Sequence, residues 1–116
     1  MTLAERLSAQ GADTASALER FLNDERFYET YLLRFPANSD MAELEKAVAV
    51  KDPVKGQFHV HTLKGAAGNL GLTGVFEAAA HMNALFRAGK NEEAFAAYKG
   101  VKAAFDAAVR IIEGGE

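Results

Sequence analysis

Apolar residues recur three and four apart along most of this chain, and strict alternation of the strand type is nearly absent. The spacing predicts helices throughout. A first short helix runs from Leu3 to about Gln10. Thr2 and Glu5 have capping-box spacing, and Gly11 suits the left-handed residue past a helix end. Another helix begins near Asp13 and carries Leu18 and Phe21. After a break at Asn23-Asp24, Phe27, Tyr31 and Phe35 fall four apart on one helical face, and Pro36 is expected to end that segment. A further helix starts after Ser39, with Met41, Leu44 and Val48 inward.

Asp52-Pro53 reads as a cap followed by proline at the first helical position, and the helix it opens reaches Asn69 or Leu70. Gly71 and Thr73 mark a tight turn. Val75, Ala79, Met82 and Phe86 then form one apolar stripe, Gly89 breaks the helix, and Asn91 is expected to cap the last one. Glu92 and Glu93 occupy its first turn, where the helix dipole favours anions. Phe95, Tyr98, Phe105, Val109 and Ile112 line its inner face. Short connections between the last three long helices make neighbours antiparallel. Together with the helix at 39–50 they predict an all-α, antiparallel up-and-down four-helix bundle. Its core spans about 39–113, and short N-terminal helices over about 2–35 cover one end. Residues 1–116 form a single domain in this reading, with no repeat, low-complexity tract or linker.

Composition narrows the function classes. A chain of 116 residues that is 49% hydrophobic can build one core without a disulfide staple. It has no cysteine, which excludes a disulfide, a thiolate zinc site and a cysteine nucleophile, and which fits the cytoplasm. The formal charge is −3 with acids and bases interspersed, so nucleic acid is not an expected partner. No apolar stretch approaches the roughly 20 residues needed to span a bilayer. The N-terminus, Met1 to Arg6, lacks the apolar region of a signal peptide. The starting methionine and the closing Glu113-Gly114-Gly115-Glu116 read as natural ends. The expectation is a cytoplasmic monomer away from membranes.

The candidate chemistry lies between Gln57 and Gly71. With about 100° per residue, and His61 set at zero, Val60, Leu63, Ala67 and Leu70 fall roughly 180–260° round, on the core side. Gln57, Lys64, Gly65 and Gly68 fall within about 60° of His61, and Phe58 about 60° away. His61 is therefore placed on an open face beside a cation, an amide and two glycines. Glycine inside a helix costs about 0.5–1 kcal/mol relative to alanine. Two on the open face suggest room for close approach by another molecule. A neutral imidazole, with an ordinary pKa of about 6.5, is a good nucleophile at neutral pH. Phosphoryl transfer spreads charge over three oxygens, which a lysine one turn away can offset. Gln57 is placed to hydrogen-bond a phosphoryl oxygen or orient the ring, and Phe58 to offer an apolar contact.

His61-Thr62-Leu63-Lys64-Gly65, followed by Gly68-Asn69-Leu70-Gly71, resembles the signature of histidine-containing phosphotransfer (HPt) domains. More loosely, Gly11-Ala12-Asp13, Leu18-Glu19-Arg20-Phe21, Tyr31 and Arg34-Phe35 are similar to the N-terminal part of many such domains. The resemblance implies that His61 is phosphorylated and shuttles phosphoryl groups between aspartates of response-regulator receiver domains. It implies that Lys64 assists with the phosphoryl charge, that Gly65 clears space for the receiver, and that Gly68 permits close packing or docking. A hybrid sensor histidine kinase is the implied upstream partner. No cofactor is expected on this chain, and magnesium is expected on the receiver. The chain departs from the family at His59, two before the motif histidine, where an apolar residue is usual.

His59 points about 160° from His61, and His81 lies on the flank of its stripe, so the three histidines do not suggest a metal site. Gly65-Ala66-Ala67-Gly68 lies inside a helix and is no phosphate-binding loop. Without a nucleotide-binding segment, the chain is not expected to phosphorylate itself from ATP. Other readings are a non-transferring module that docks and blocks a receiver or kinase, and the phosphoacceptor domain of a larger histidine kinase.

Overall fold

The computed structural model describes residues 1–114, and all regular structure among them is helical. Its helices are α1 (Leu3–Ala9), α2 (Thr14–Arg20), α3 (Glu25–Asn38), α4 (Met41–Ala49), α5 (Pro53–Asn69), α6 (Thr73–Arg87) and α7 (Asn91–Ile112). Gly115 and Glu116, on which the reading of a natural end partly rests, lie outside the described residues. Among the described residues no helix is long and apolar enough to cross a membrane.

Local chemistry sets most of the boundaries. Thr2 Oγ1 accepts from the Glu5 N–H at 3.1 Å, and the Thr2 N–H donates to the Glu5 carboxylate at 2.7 Å. Those bonds hold the Glu5 carboxyl below its usual range. Asp13, Asp24 and Asp52 cap α2, α3 and α5 through their carboxylates. Gly11, Gly71 and Gly89 take positive φ past the ends of α1, α5 and α6.

Three boundaries or faces differ from the sequence reading. Pro36 does not end α3, which continues to Asn38. Proline near a helix end forfeits one backbone bond while its fixed φ remains helical. The buried face of α3 is Tyr28, Leu32 and Phe35, whereas Phe27 and Tyr31 are 39% and 42% exposed. Both patterns repeat at helical spacing. The outer pair is satisfied laterally, Phe27 lying 5.1 Å and Tyr31 5.4 Å from the Phe21 ring. Finally, Asn91 is the first helical residue of α7, not its cap; Lys90 holds the cap position and makes no side-chain capping bond.

Packing runs in chain order: α4 against α5, α5 against α6, and α6 against α7. A Cβ on Gly56 would lie 2.8 Å from the Phe86 ring, and one on Gly68 2.9 Å from the Phe76 ring. These contacts set α5 and α6 antiparallel and close. Val75, Ala79, Met82 and Phe86 are buried, as are Val60, Leu63, Ala67 and Leu70. On α7 the buried residues are Ala94, Phe95, Val101, Phe105 and Ile112, with Tyr98 and Val109 packed at the margin. The Tyr98 hydroxyl donates to Glu45 at 2.8 Å, which ties α7 to α4, and burial pushes that phenol upward.

The N-terminal segment closes the far end of α5. Arg20 donates to the carbonyls of Asn69 at 3.1 Å and Gly68 at 2.9 Å. The buried Tyr28 hydroxyl donates to Leu70 O at 2.6 Å, and the Asp13 N–H to Gly71 O at 2.8 Å. These satisfy carbonyls that a helix terminus leaves unpaired. Burial pushes the Tyr28 phenol up to about 12, which keeps it a donor. Gly71 is required twice over. Its φ is +73°, and a Cβ there would lie 2.4 Å from the Asp13 carbonyl oxygen. At the same end of the molecule Arg6 donates to Ile111 O at 3.1 Å, holding α1 to the end of α7.

Candidate functional site

Everything that places His61 is built into α5. Asp52 accepts from the Lys55 N–H at 3.0 Å and Pro53 starts the helix, which fixes its first turn. Val60 and Leu63 are fully buried on either side in sequence, so the helix cannot rotate His61 inward without exposing them. His61 is exposed, with no hydrogen-bond partner among the described residues. It lines a depression with Val54, Gln57 and Phe58 of α5 and with Asn83 and Arg87 of α6.

Lys64, Gly65 and Gly68 line a neighbouring depression toward the C-terminal end of α5. Arg20 of α2 and Phe76 and Glu77 of α6 complete its walls. The sequence-predicted residues thus divide into two groups on one helix face, Gln57 and Phe58 in the His61 depression and the lysine and glycines one turn further on. The two glycines also differ. A Cβ on Gly65 would meet nothing within 4 Å, so that position is open to an approaching molecule. Gly68 is bare because Phe76 of the same chain occupies the space.

Asn83 and Arg87 were not among the residues singled out from the sequence. Asn83 is only 3% exposed, and its Oδ1 has no partner among the described residues. A buried amide oxygen left unsatisfied costs about 1–3 kcal/mol. Asn83 stands in the wall of the depression that His61 lines. The available signal was polarity, since Asn83 follows Ala79 by one turn on the otherwise apolar stripe of α6. Arg87, in the last turn of α6, brings a guanidinium to the same depression. Gln57 and Arg87 thus bring hydrogen-bond donors to the depression that His61 lines, and Lys64 brings an ammonium to the neighbouring one.

His59 has a different environment. Its side chain is 20% exposed and its Nδ1 pairs with the Asp40 carboxylate at 2.5 Å. Asp40 stands at positive φ (+70°) between α3 and α4, where its carboxylate caps nothing on its own helix. His81 is exposed on α6. Among the described residues no group of three or more His, Cys, Asp or Glu side chains is arranged to hold a metal.

A family model described as Hpt domain matches residues 36–110, from the last turn of α3 to near the end of α7, with His61 and both depressed walls of α5 and α6 inside it. Searches of curated proteins and of solved structures return no match.

Proposed function

Because the chain belongs to the Hpt domain family, whose members transfer phosphoryl groups in phosphorelays and interact there with receivers and kinases, we propose that His61 is its phosphoryl carrier. The observation that carries this is the exposed, unpaired His61 ringed by Gln57, Asn83 and Arg87, with Lys64 one turn away. In the forward step a lone pair of the neutral imidazole attacks the phosphorus of a receiver's aspartyl phosphate. The N–P bond forms as the P–O bond breaks, and the electron pair leaves with the aspartate carboxylate. Attack by a second receiver's carboxylate reverses these changes and restores the imidazole. Arg87, Lys64 and Gln57 hold the three phosphoryl oxygens, and Gly65 leaves room for the receiver backbone. Magnesium belongs to the receiver in this reading, and this chain needs no cofactor of its own.

The same reading takes residues 1–116 as one domain: α4, α5, α6 and α7 as an antiparallel four-helix bundle over about 39–113, with the N-terminal helices over about 2–35 as cover. It takes the domain as a monomer in the cytoplasm, fed by a hybrid kinase. The test is to mix the chain with a phosphorylated receiver domain and follow acid-labile phosphate on it. His61→Gln should abolish that label. Wild-type labelling of His61→Gln overturns the assignment.

A further inference from the structure

His59 takes no part in the chemistry proposed for His61, yet it is set up unlike an ordinary surface histidine. Its Nδ1 pairs with the Asp40 carboxylate, which stands at positive φ and caps nothing on its own helix. A carboxylate only accepts, so Nδ1 carries the hydrogen and the lone pair of the neutral ring is on Nε2. Nε2 has no hydrogen-bond partner among the described residues. The one buried side-chain nitrogen or oxygen left without a partner there is Asn83 Oδ1. The unpaired Nε2 of His59 therefore reaches solvent.

The ring is also held from the side, where Phe58 meets it edge to face at 5.0 Å. His59 lines an open depression of about 620 Å³ between α4 and α5, to which Lys46 and Lys55 bring ammonium groups. Lys46 is paired with Glu43 at 3.2 Å, whereas Lys55 has no ion-pair partner among the described residues. Val54 and Phe58 line both this depression and the one that holds His61, and so stand between the two histidines. A bonded carboxylate, an open nitrogen across the ring from it and a free cation nearby are the parts of an activated nucleophile. His81 supplies the contrast, being exposed but bonded to no carboxylate among the described residues.

We propose that His59 is a second phosphoacceptor, one that takes its phosphoryl group from a small anionic donor of the phosphoramidate or acyl phosphate class. Its side chain is 20% exposed, enough for a small molecule and too recessed for an aspartate carried in the pocket of another protein. The Nε2 lone pair attacks the phosphorus. The N–P bond forms as the bond from phosphorus to the donor's leaving group breaks, and the electron pair departs with that group. From phosphoramidate protonated on nitrogen, the leaving group is ammonia. The ring becomes an imidazolium that keeps its hydrogen on Nδ1, and the Asp40 carboxylate stabilises that charge. Lys55 offsets charge on the phosphoryl oxygens. Asp40 acts through the ring, as a positioning residue.

The experiment uses the full chain, with phosphoramidate as the donor. In His61→Gln an acid-labile label should persist, and phosphorus NMR should place it on Nε2 of His59. Combining His61→Gln with His59→Gln should remove it. Asp40→Asn keeps a residue type that tolerates positive φ, so helical circular dichroism should be retained. In the His61→Gln background it should slow labelling at least about ten-fold and move part of the label to Nδ1. Transfer to His61 from a phosphorylated receiver should be unchanged in Asp40→Asn. Phosphoramidate labelling that His61→Gln alone abolishes overturns the inference and leaves the phosphotransfer reading intact. Label that survives the loss of both histidines lies elsewhere, on His81 for example, and also overturns it, as does an unchanged labelling rate in Asp40→Asn. A chain that phosphoramidate labels on His59, but that no phosphorylated receiver labels on His61, would uphold this inference and sink the phosphotransfer reading.

Discussion

Residues 36–110 and residues 1–35 are joined to the molecule by different forces. The helices of the matched region bury continuous apolar stripes against one another, Leu63 and Met82 being wholly enclosed. The N-terminal helices bury Leu3, Leu7, Ala17 and Tyr28 as well. Their hold on α5, however, runs through Arg20, Tyr28 and the Asp13 N–H, all donating to carbonyls at its end. The difference shows what the helix bearing His61 lacks. Periodic burial fixes its rotation, but the carbonyls of Asn69 and Leu70 at its end are met by another part of the chain.

The largest expected effect separates the regions most directly. Leu63→Ala should lower stability by about 2–5 kcal/mol in urea unfolding. A loss under about 1 kcal/mol would mean that the bundle is not the main store of stability. Gly71→Ala attacks the junction itself. The left-handed conformation costs about 1–2 kcal/mol for a residue with a Cβ, and the collision with the Asp13 carbonyl forces α2 to shift. Hydrogen exchange should show lost protection in α2 with α6 and α7 retained; a uniform loss would merge the two regions into one cooperative unit.

Tyr28→Phe should cost about 1–3 kcal/mol, because Leu70 O is left buried and unpaired. It also carries a pH signature. The folded phenol titrates near 12 rather than 10, so its contribution is complete below about 10 and is lost as pH rises toward 12. Alkaline denaturation over that window should be shallower in the variant, and identical profiles would show that the Tyr28 phenol is not the group responsible. Arg20→Ala, removing exposed bonds only, should change the melting temperature by an amount equivalent to less than about 1 kcal/mol. A larger loss would make the guanidinium the principal tie.

Much of the matched region was legible because its elements are long and strongly periodic. The stripes of α5 and α6 and the cap at Asp52 follow from local spacing and residue type. The position of His61 on an exposed face followed from the same wheel. What escaped depends on other elements. Which of two equally spaced stripes on α3 faces inward depends on what the rest of the chain packs against it: Tyr28 is buried and bonds Leu70 O, while Phe27 and Tyr31 rest beside Phe21. Gly68 looked like an opening until Phe76, from α6, filled it. Asn83 and Arg87 lie on a different helix from the motif, and only their packing against α5 brings them to His61. The attachments of Arg20 and Tyr28 end on backbone carbonyls, which carry no sequence signal at all.

The seal on the end of α5 has a kinetic consequence. Tyr28 and Leu70 are 42 residues apart in the chain, and Arg20 and Gly68 are 48 apart. The helices from α4 onward meet their neighbours in chain order. Closing a long loop must be achieved before its contacts reward it, so local pairings form sooner. The helix that bears His61 is thus assembled first and sealed last. Native-state hydrogen exchange is expected to show the amides of that seal losing protection before those of the stripes beneath His61.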